Sequence, residues 1–184
     1  SRPRGGDFLD NKDECEIMLQ DVKLCKQLGC DGVVTGLLNM DGSIDVVRTA
    51  QLVEAAYPLG VTFHRAFDRC REPFEAIEQL IELGFERILT SGQKPSVVDV
   101  VELVAELNKK ADDRIIIMPG SGVRQDNIRM LAERTGCTVF HSSLRSKEKS
   151  RMQFVHPAFA ASEESYRNNA IDAKEVRFLR TVLG

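Results

Sequence analysis

No two cysteines in this chain are spaced as C-x-x-C, and the five present, at positions 15, 25, 30, 70 and 137, follow no zinc-ligand pattern. That excludes a zinc ribbon and a disulfide-stapled secreted scaffold, and points to free thiols in a reducing compartment. Cys25 and Cys30 fall near the end of a helical stretch, where each reads most simply as a small buried hydrophobe. Basic excess is also missing. With a net charge of −3 and no cluster of lysine and arginine, the chain lacks the face that non-specific nucleic-acid binding requires. No apolar run approaches the roughly 20 residues of a membrane helix, and no charged-then-apolar leader opens the sequence. A cytoplasmic protein is expected, with no membrane and no nucleic-acid partner.

What is present is the composition of a globular domain. With 184 residues, 42% hydrophobic and 29% charged, the chain can bury one core, and a single domain spanning 1–184 is expected. Five short β-branched runs recur at nearly even intervals, starting at Gly32, Val61, Arg87, Arg114 and Thr138. Their spacing fits one strand, one helix and two loops, and their unbroken apolar character predicts parallel strands covered on both faces. The intervening segments carry helical periodicity. Val97, Val100, Val101, Val104 and Leu107 share one face, with Ser96 a candidate cap; Phe74, Ile77, Leu80 and Ile81 do the same after Pro73. Helices are also predicted over residues 13–28, ending at Gly29, over 45–56, over 126–134 with Gly136 beyond, and over 171–183. The chain opens on Ser1-Arg-Pro-Arg-Gly-Gly-Asp-Phe8, which has the look of a strand's polar end running into a loop. With it the array counts six βα positions. The expected fold class is therefore α/β, a TIM (β/α)8-type barrel in an incomplete form of about six units.

Chemistry in such an array gathers where the strands end. His64, Arg65 and Asp68 leave the second run together and His141 ends the fifth, so His64, Asp68 and His141 are the acid–base candidates. The plain alternative has Asp68 capping its own segment and Arg65 tying down a neighbouring loop. Arg2 and Arg4 alternate along the first segment and suit an anion or an ion pair with Asp7 or Asp68. Pro119-Gly120-Ser121-Gly122-Val123 resembles the glycine turn whose backbone N–H groups hold phosphate in many barrels, and Ser142, Ser143 and Arg145 follow on the next loop. Glycine there also serves simply to allow a tight turn. Arg65, Gly120, Ser121, Gly122, Ser142 and Ser143 join Arg2 and Arg4 as the anion-binding set. Thr90-Ser91-Gly92-Gln93 ends the third run in the same manner. The loop from Ser142 to about Asn169 is long enough for a lid.

Five of these stretches together carry a resemblance. Arg2-Pro-Arg-Gly-Gly-Asp-Phe8, Val61-Thr-Phe-His-Arg-Ala-Phe-Asp68, Ile88-Leu-Thr-Ser-Gly-Gln93, Ile117-Met-Pro-Gly-Ser-Gly-Val123 and Phe140-His-Ser-Ser143 resemble, in order and spacing, the signature motifs of the CutC family of copper homeostasis proteins. The resemblance spans residues 1 to about 155. It implies a TIM-barrel fold, cytoplasmic residence and a part in copper handling; a homo-oligomer is expected as well. It also implies that two βα units precede this segment in the family, and that those units hold the cysteines most often proposed as Cu(I) ligands. In this chain Met118, Cys70, His64 and His141 are the soft or imidazole groups near the expected mouth, without recognised ligand spacing. Two functions follow: a copper-homeostasis protein that binds or traffics Cu(I), or a barrel enzyme acting on a small anionic, phosphorylated substrate.

Overall fold

Four of the five apolar runs become adjacent strands of one parallel sheet. In the computed structural model, which describes residues 3–159 and 166–183, these are β1 (Gly32–Thr35), β2 (Gly60–Phe63), β3 (Arg87–Thr90) and β4 (Ile116–Pro119). They lie in the order β1-β2-β3-β4, with Thr35 beside Phe63, Phe63 beside Ile88 and Ile88 beside Ile117. Sequential neighbours joined by helices give the winding of a TIM barrel, here open rather than closed.

The helices are α1 (Lys12–Gln27), α2 (Val46–Ala56), α3 (Pro73–Glu82), α4 (Val101–Ala111) and α5 (Ile128–Thr135). Their boundaries have local causes. Asn11 and Glu14 form a reciprocal capping box on α1, Asp45 accepts from the Arg48 N–H at the start of α2, and Pro73 occupies the first turn of α3. Gly136 closes α5 in the left-handed region. The stretch after Ser96 departs from expectation. Residues 97–99 form a 3-10 turn, Ser96 makes no side-chain cap, and α4 begins only at Val101, because β-branched Val97, Val98 and Val100 resist an α turn.

Val33, Val61, Phe63, Ile88 and Ile117 share one face of the sheet and join Leu52, Ile77, Leu80, Val104, Leu107 and Leu131 of the helices in one core. The other face is only partly covered: Val34 is 46% exposed and Ile116 38%. Burial on both faces was expected, and the open sheet is the reason it is incomplete.

Two expected strands are not formed. Residues 3–6 are bends, with the Arg4 side chain folded back onto the loop. Residues 138–142 run beside β4 through one ladder-like bond, from the His141 N–H to the Pro119 carbonyl at 2.9 Å, without a continuous ladder to make them a strand. The count of about six βα units is thus four sheet strands among the described residues. Beyond Ser143 the chain forms an antiparallel ribbon of β5 (Arg145–Lys149) and β6 (Arg167–Ile171), followed by α6 (Ala173–Leu183). β5, Arg145-Ser-Lys-Glu-Lys149, carries charges of both signs and is wholly exposed.

Candidate functional site

All the polar groups singled out in the sequence that lie within the sheet's reach sit at one rim. His64 follows β2, Ser91 follows β3, Gly120 follows β4, and the 141–143 loop is bonded to the end of β4. Parallel strands present their carboxyl ends on one side, so their loops converge there.

Asp68 organises that rim. Its Oδ1 accepts from Thr90 Oγ1 at 2.6 Å, the Ser91 N–H at 2.8 Å and the Gln93 N–H at 3.3 Å, while Oδ2 accepts from Arg65 Nε at 2.7 Å. Ser91 Oγ lies 2.9 Å from Oδ2 and 2.5 Å from the Lys94 carbonyl, and accepts from Arg65 Nη2 at 2.7 Å. The carboxylate is buried and its lone pairs are taken up by protein donors. It therefore holds the β3 loop and aims Arg65; it has no lone pair left over for a substrate proton.

His64 is also buried. Its Nδ1 accepts from the Ala66 N–H at 3.2 Å, which places the ring proton of the neutral form on Nε2. The ring stacks at a tilt against Phe8, with centroids 4.9 Å apart, and against Phe63 at 5.9 Å. It lies directly over Gly36, where a Cβ would come within 2.8 Å of Nδ1. Only glycine at the end of β1 lets the imidazole occupy this position.

A cleft of about 230 Å³ opens beside these groups, lined by Arg65, Arg124, Arg145, His141 and the two loops 121–123 and 142–143 over Leu89. Both loops are pinned from behind. Ser121 Oγ donates to the Pro95 carbonyl at 2.6 Å, and Ser142 Oγ to the Val123 carbonyl at 2.7 Å. Asn127 accepts from the Arg124 N–H at 2.8 Å and donates to the Gly122 carbonyl at 2.9 Å. Gly122 has φ +88°, a backbone conformation that favours glycine, and a Cβ there would crowd the Ser96 hydroxyl. With their hydroxyls spent on carbonyls, the serines offer backbone. Among the described residues, the N–H groups of Ser121, Gly122, Val123, Ser142 and Ser143 have no protein acceptor, and neither Arg124 nor Arg145 has a carboxylate partner. Unspent donors and uncompensated guanidiniums around one cleft suit an oxyanion.

The structure thus brings Arg65, Ser121, Gly122, His141, Ser142 and Ser143 together, with Gly120 directly behind: its Cβ would touch His141 Cβ at 3.4 Å. His64 and Asp68 stand apart from the lining. Arg4 is committed to Glu14 Oε1 at 2.6 Å and Asp7 Oδ1 at 2.9 Å. Arg2 lies outside the described residues. Arg124 and Asn127 were missed by the sequence reading, although an asparagine just ahead of a helix was the available signal. Cys70, His64 and His141 do not form a three-ligand group. Cys70 is buried with Gln93 Nε2 3.7 Å from its sulfur, and burial first, then Asp68, pushes its thiol up to about 12. Burial likewise raises Cys15 and Cys137. Among the described residues, no group of three or more His, Cys, Asp and Glu could hold a metal ion.

Comparison with known proteins agrees with the fold. The CutC family model matches residues 1–146. A "family protein CutC" from Parabacteroides distasonis is 57% identical over 153 residues, covering 83% of this chain and 63% of that protein. One from Chromobacterium violaceum is 45% identical over 185 residues, covering 99% and 75%. A mouse protein named "Copper homeostasis protein cutC homolog" is 42% identical over 185 residues, 98% of this chain and 68% of that one. A solved Streptococcus agalactiae structure bearing the CutC name superposes with a TM-score of 0.75 at 34% identity, covering 77% of this chain and 70% of its own. The chain thus spans under two thirds of the Parabacteroides relative and about three quarters of the Chromobacterium one.

Proposed function

The chain belongs to the CutC family, and on that premise we propose that it acts in copper homeostasis in the cytoplasm, as a homo-oligomer with Cu(I) as its cargo. The carrying observation is the match of 98% of this chain to 68% of the mouse relative named for copper homeostasis. Among the described residues, no helix is long and apolar enough to cross a membrane. Exposed apolar groups on the open sheet face, Val34 and Ile116, supply surface for a second copy. The test is cellular copper content by plasma mass spectrometry at a fixed copper load. Disrupting the gene should change it and the wild-type gene restore it; unchanged copper overturns the reading.

The cleft favours a second reading, that the same barrel rim binds a small oxyanion such as a phosphorylated metabolite. Five unspent backbone N–H groups and two uncompensated arginines carry it. In this reading Arg124, Arg145 and the 121–123 turn hold the anion, and Arg65 is aimed by Asp68. His141, exposed at the cleft, is the group placed to move a proton; His64 positions the rim from below. Titration of the protein with inorganic phosphate, followed by nuclear magnetic resonance of the 121–123 amides and the His141 ring, should give a saturable shift. A flat response would count against an anion site.

A further inference from the structure

The end of α1 holds two thiols in a geometry that a helix terminus imposes. The Cys30 N–H donates to the Cys25 carbonyl at 3.0 Å and the Gly29 N–H to the Lys26 carbonyl at 3.2 Å, with Gly29 at φ +73°. These two bonds define a Schellman motif. In that motif the side chains three before the cap and two beyond it meet, a contact usually made by two aliphatic groups. Here those positions are Cys25 and Cys30. Both are half-buried free cysteines, and Cys25 packs partly against the core. Burial first, then contact with the Cys25 thiol, pushes the Cys30 thiol up.

Resting on the copper reading, we propose that Cys25 and Cys30 form a two-thiolate site for Cu(I). The fold pre-sets the pair: the chain reversal at Gly29 brings the residues together before any metal arrives, so binding need not order a loop. The ligand chemistry selects the ion. Thiolate sulfur favours Cu(I), and two sulfurs complete its linear coordination, whereas Zn²⁺ asks for four ligands. Among the described residues, no third His, Cys, Asp or Glu joins the pair to make a closed cage. Access is partial, since Cys25 and Cys30 are both only half-buried. The step balances as one Cu(I) bound and two thiol protons released to solvent, giving a bis-thiolate complex of net charge −1 with no change in oxidation state.

The test uses the intact 184-residue chain. Cu(I), supplied under reducing conditions, is titrated against a chromogenic Cu(I) chelator. Iodoacetamide labelling of the wild-type protein is then mapped with and without the metal. Lys26 lies between the two cysteines, so tryptic cleavage reads each on its own peptide. One Cu(I) per chain, protection of both Cys25 and Cys30, and at least tenfold weaker binding in Cys25→Ser and in Cys30→Ser are expected. The labelling experiment needs no substitution, so a poorly folding variant does not blunt it. Stoichiometric Cu(I) with both thiols still alkylated would overturn the site and leave the copper reading standing. Absence of Cu(I) binding would overturn the site as well, and the cellular copper measurement then decides the wider reading separately.

Discussion

Asp68 concentrates more structure than any other side chain at the rim. Replacing it with alanine strips partners from Thr90, two backbone N–H groups and Arg65 at once, with the acceptor side 4% exposed. Losing one partner of a buried, hydrogen-bonded charge costs about 3–5 kcal/mol. Asp68→Ala should therefore lower the urea midpoint by that equivalent, and a loss under 1 kcal/mol, or about that, would deny it the role. Gly36→Ala drives a methyl into the His64 ring and should cost about 1–3 kcal/mol, read the same way, with an unshifted His64 ring resonance contradicting it. The grouping of His64, Arg65 and Asp68 was legible because one strand delivers all three. Which donors Asp68 would satisfy was not, since that depends on the register between β2 and β3. The pairing of Cys25 with Cys30 was latent in the glycine at 29, but two cysteines five apart signal nothing until the reversal is seen.

At the scale of elements, caps and bridges set boundaries. Asn11→Ala removes the side-chain acceptor of the α1 capping box while the backbone N–H of residue 11 can still donate to Glu14, and should cost about 1 kcal/mol, measured by thermal melting. Glu78 of α3 reaches Arg114 at 2.8 Å and Lys110 of α4 at 2.8 Å, tying two neighbouring helices. Arg114 first, then Lys110, holds its carboxyl down to about 2 from an ordinary 4.5. A depressed acid contributes stability above its unfolded value and loses it as pH falls through the folded one. The bridge should therefore act fully at neutral pH and fade between about 4.5 and about 2. Glu78→Gln should melt slightly lower than wild type at neutral pH, and the gap should narrow on acidification through that window; a constant gap would refute the bridge. Helices were legible from periodicity, proline and glycine. The 138–142 run was misjudged as a strand because a sequence shows apolarity and not whether a neighbour completes the ladder. The β5 strand was hidden by its charges, since an exposed ribbon needs no apolar face.

At the scale of the molecule, the open parallel sheet follows from the spacing of the runs, and its partly bare face from its holding four strands among the described residues rather than the eight that close a barrel. Light scattering should give a mass that is a multiple of 20.6 kDa, and a monomer at all concentrations would contradict the oligomer. The rim had been placed by strand direction alone, which is why its members were legible while the cleft's exact lining was not.

The loops around that cleft are tied to carbonyls and to Asp68 before any guest arrives. A receptor so prepared need not rearrange these loops to receive its guest. Capture of an anion should then run at the speed of encounter, quickened by the guanidiniums and slowed by added salt, with a lifetime rather than an approach that distinguishes one guest from another.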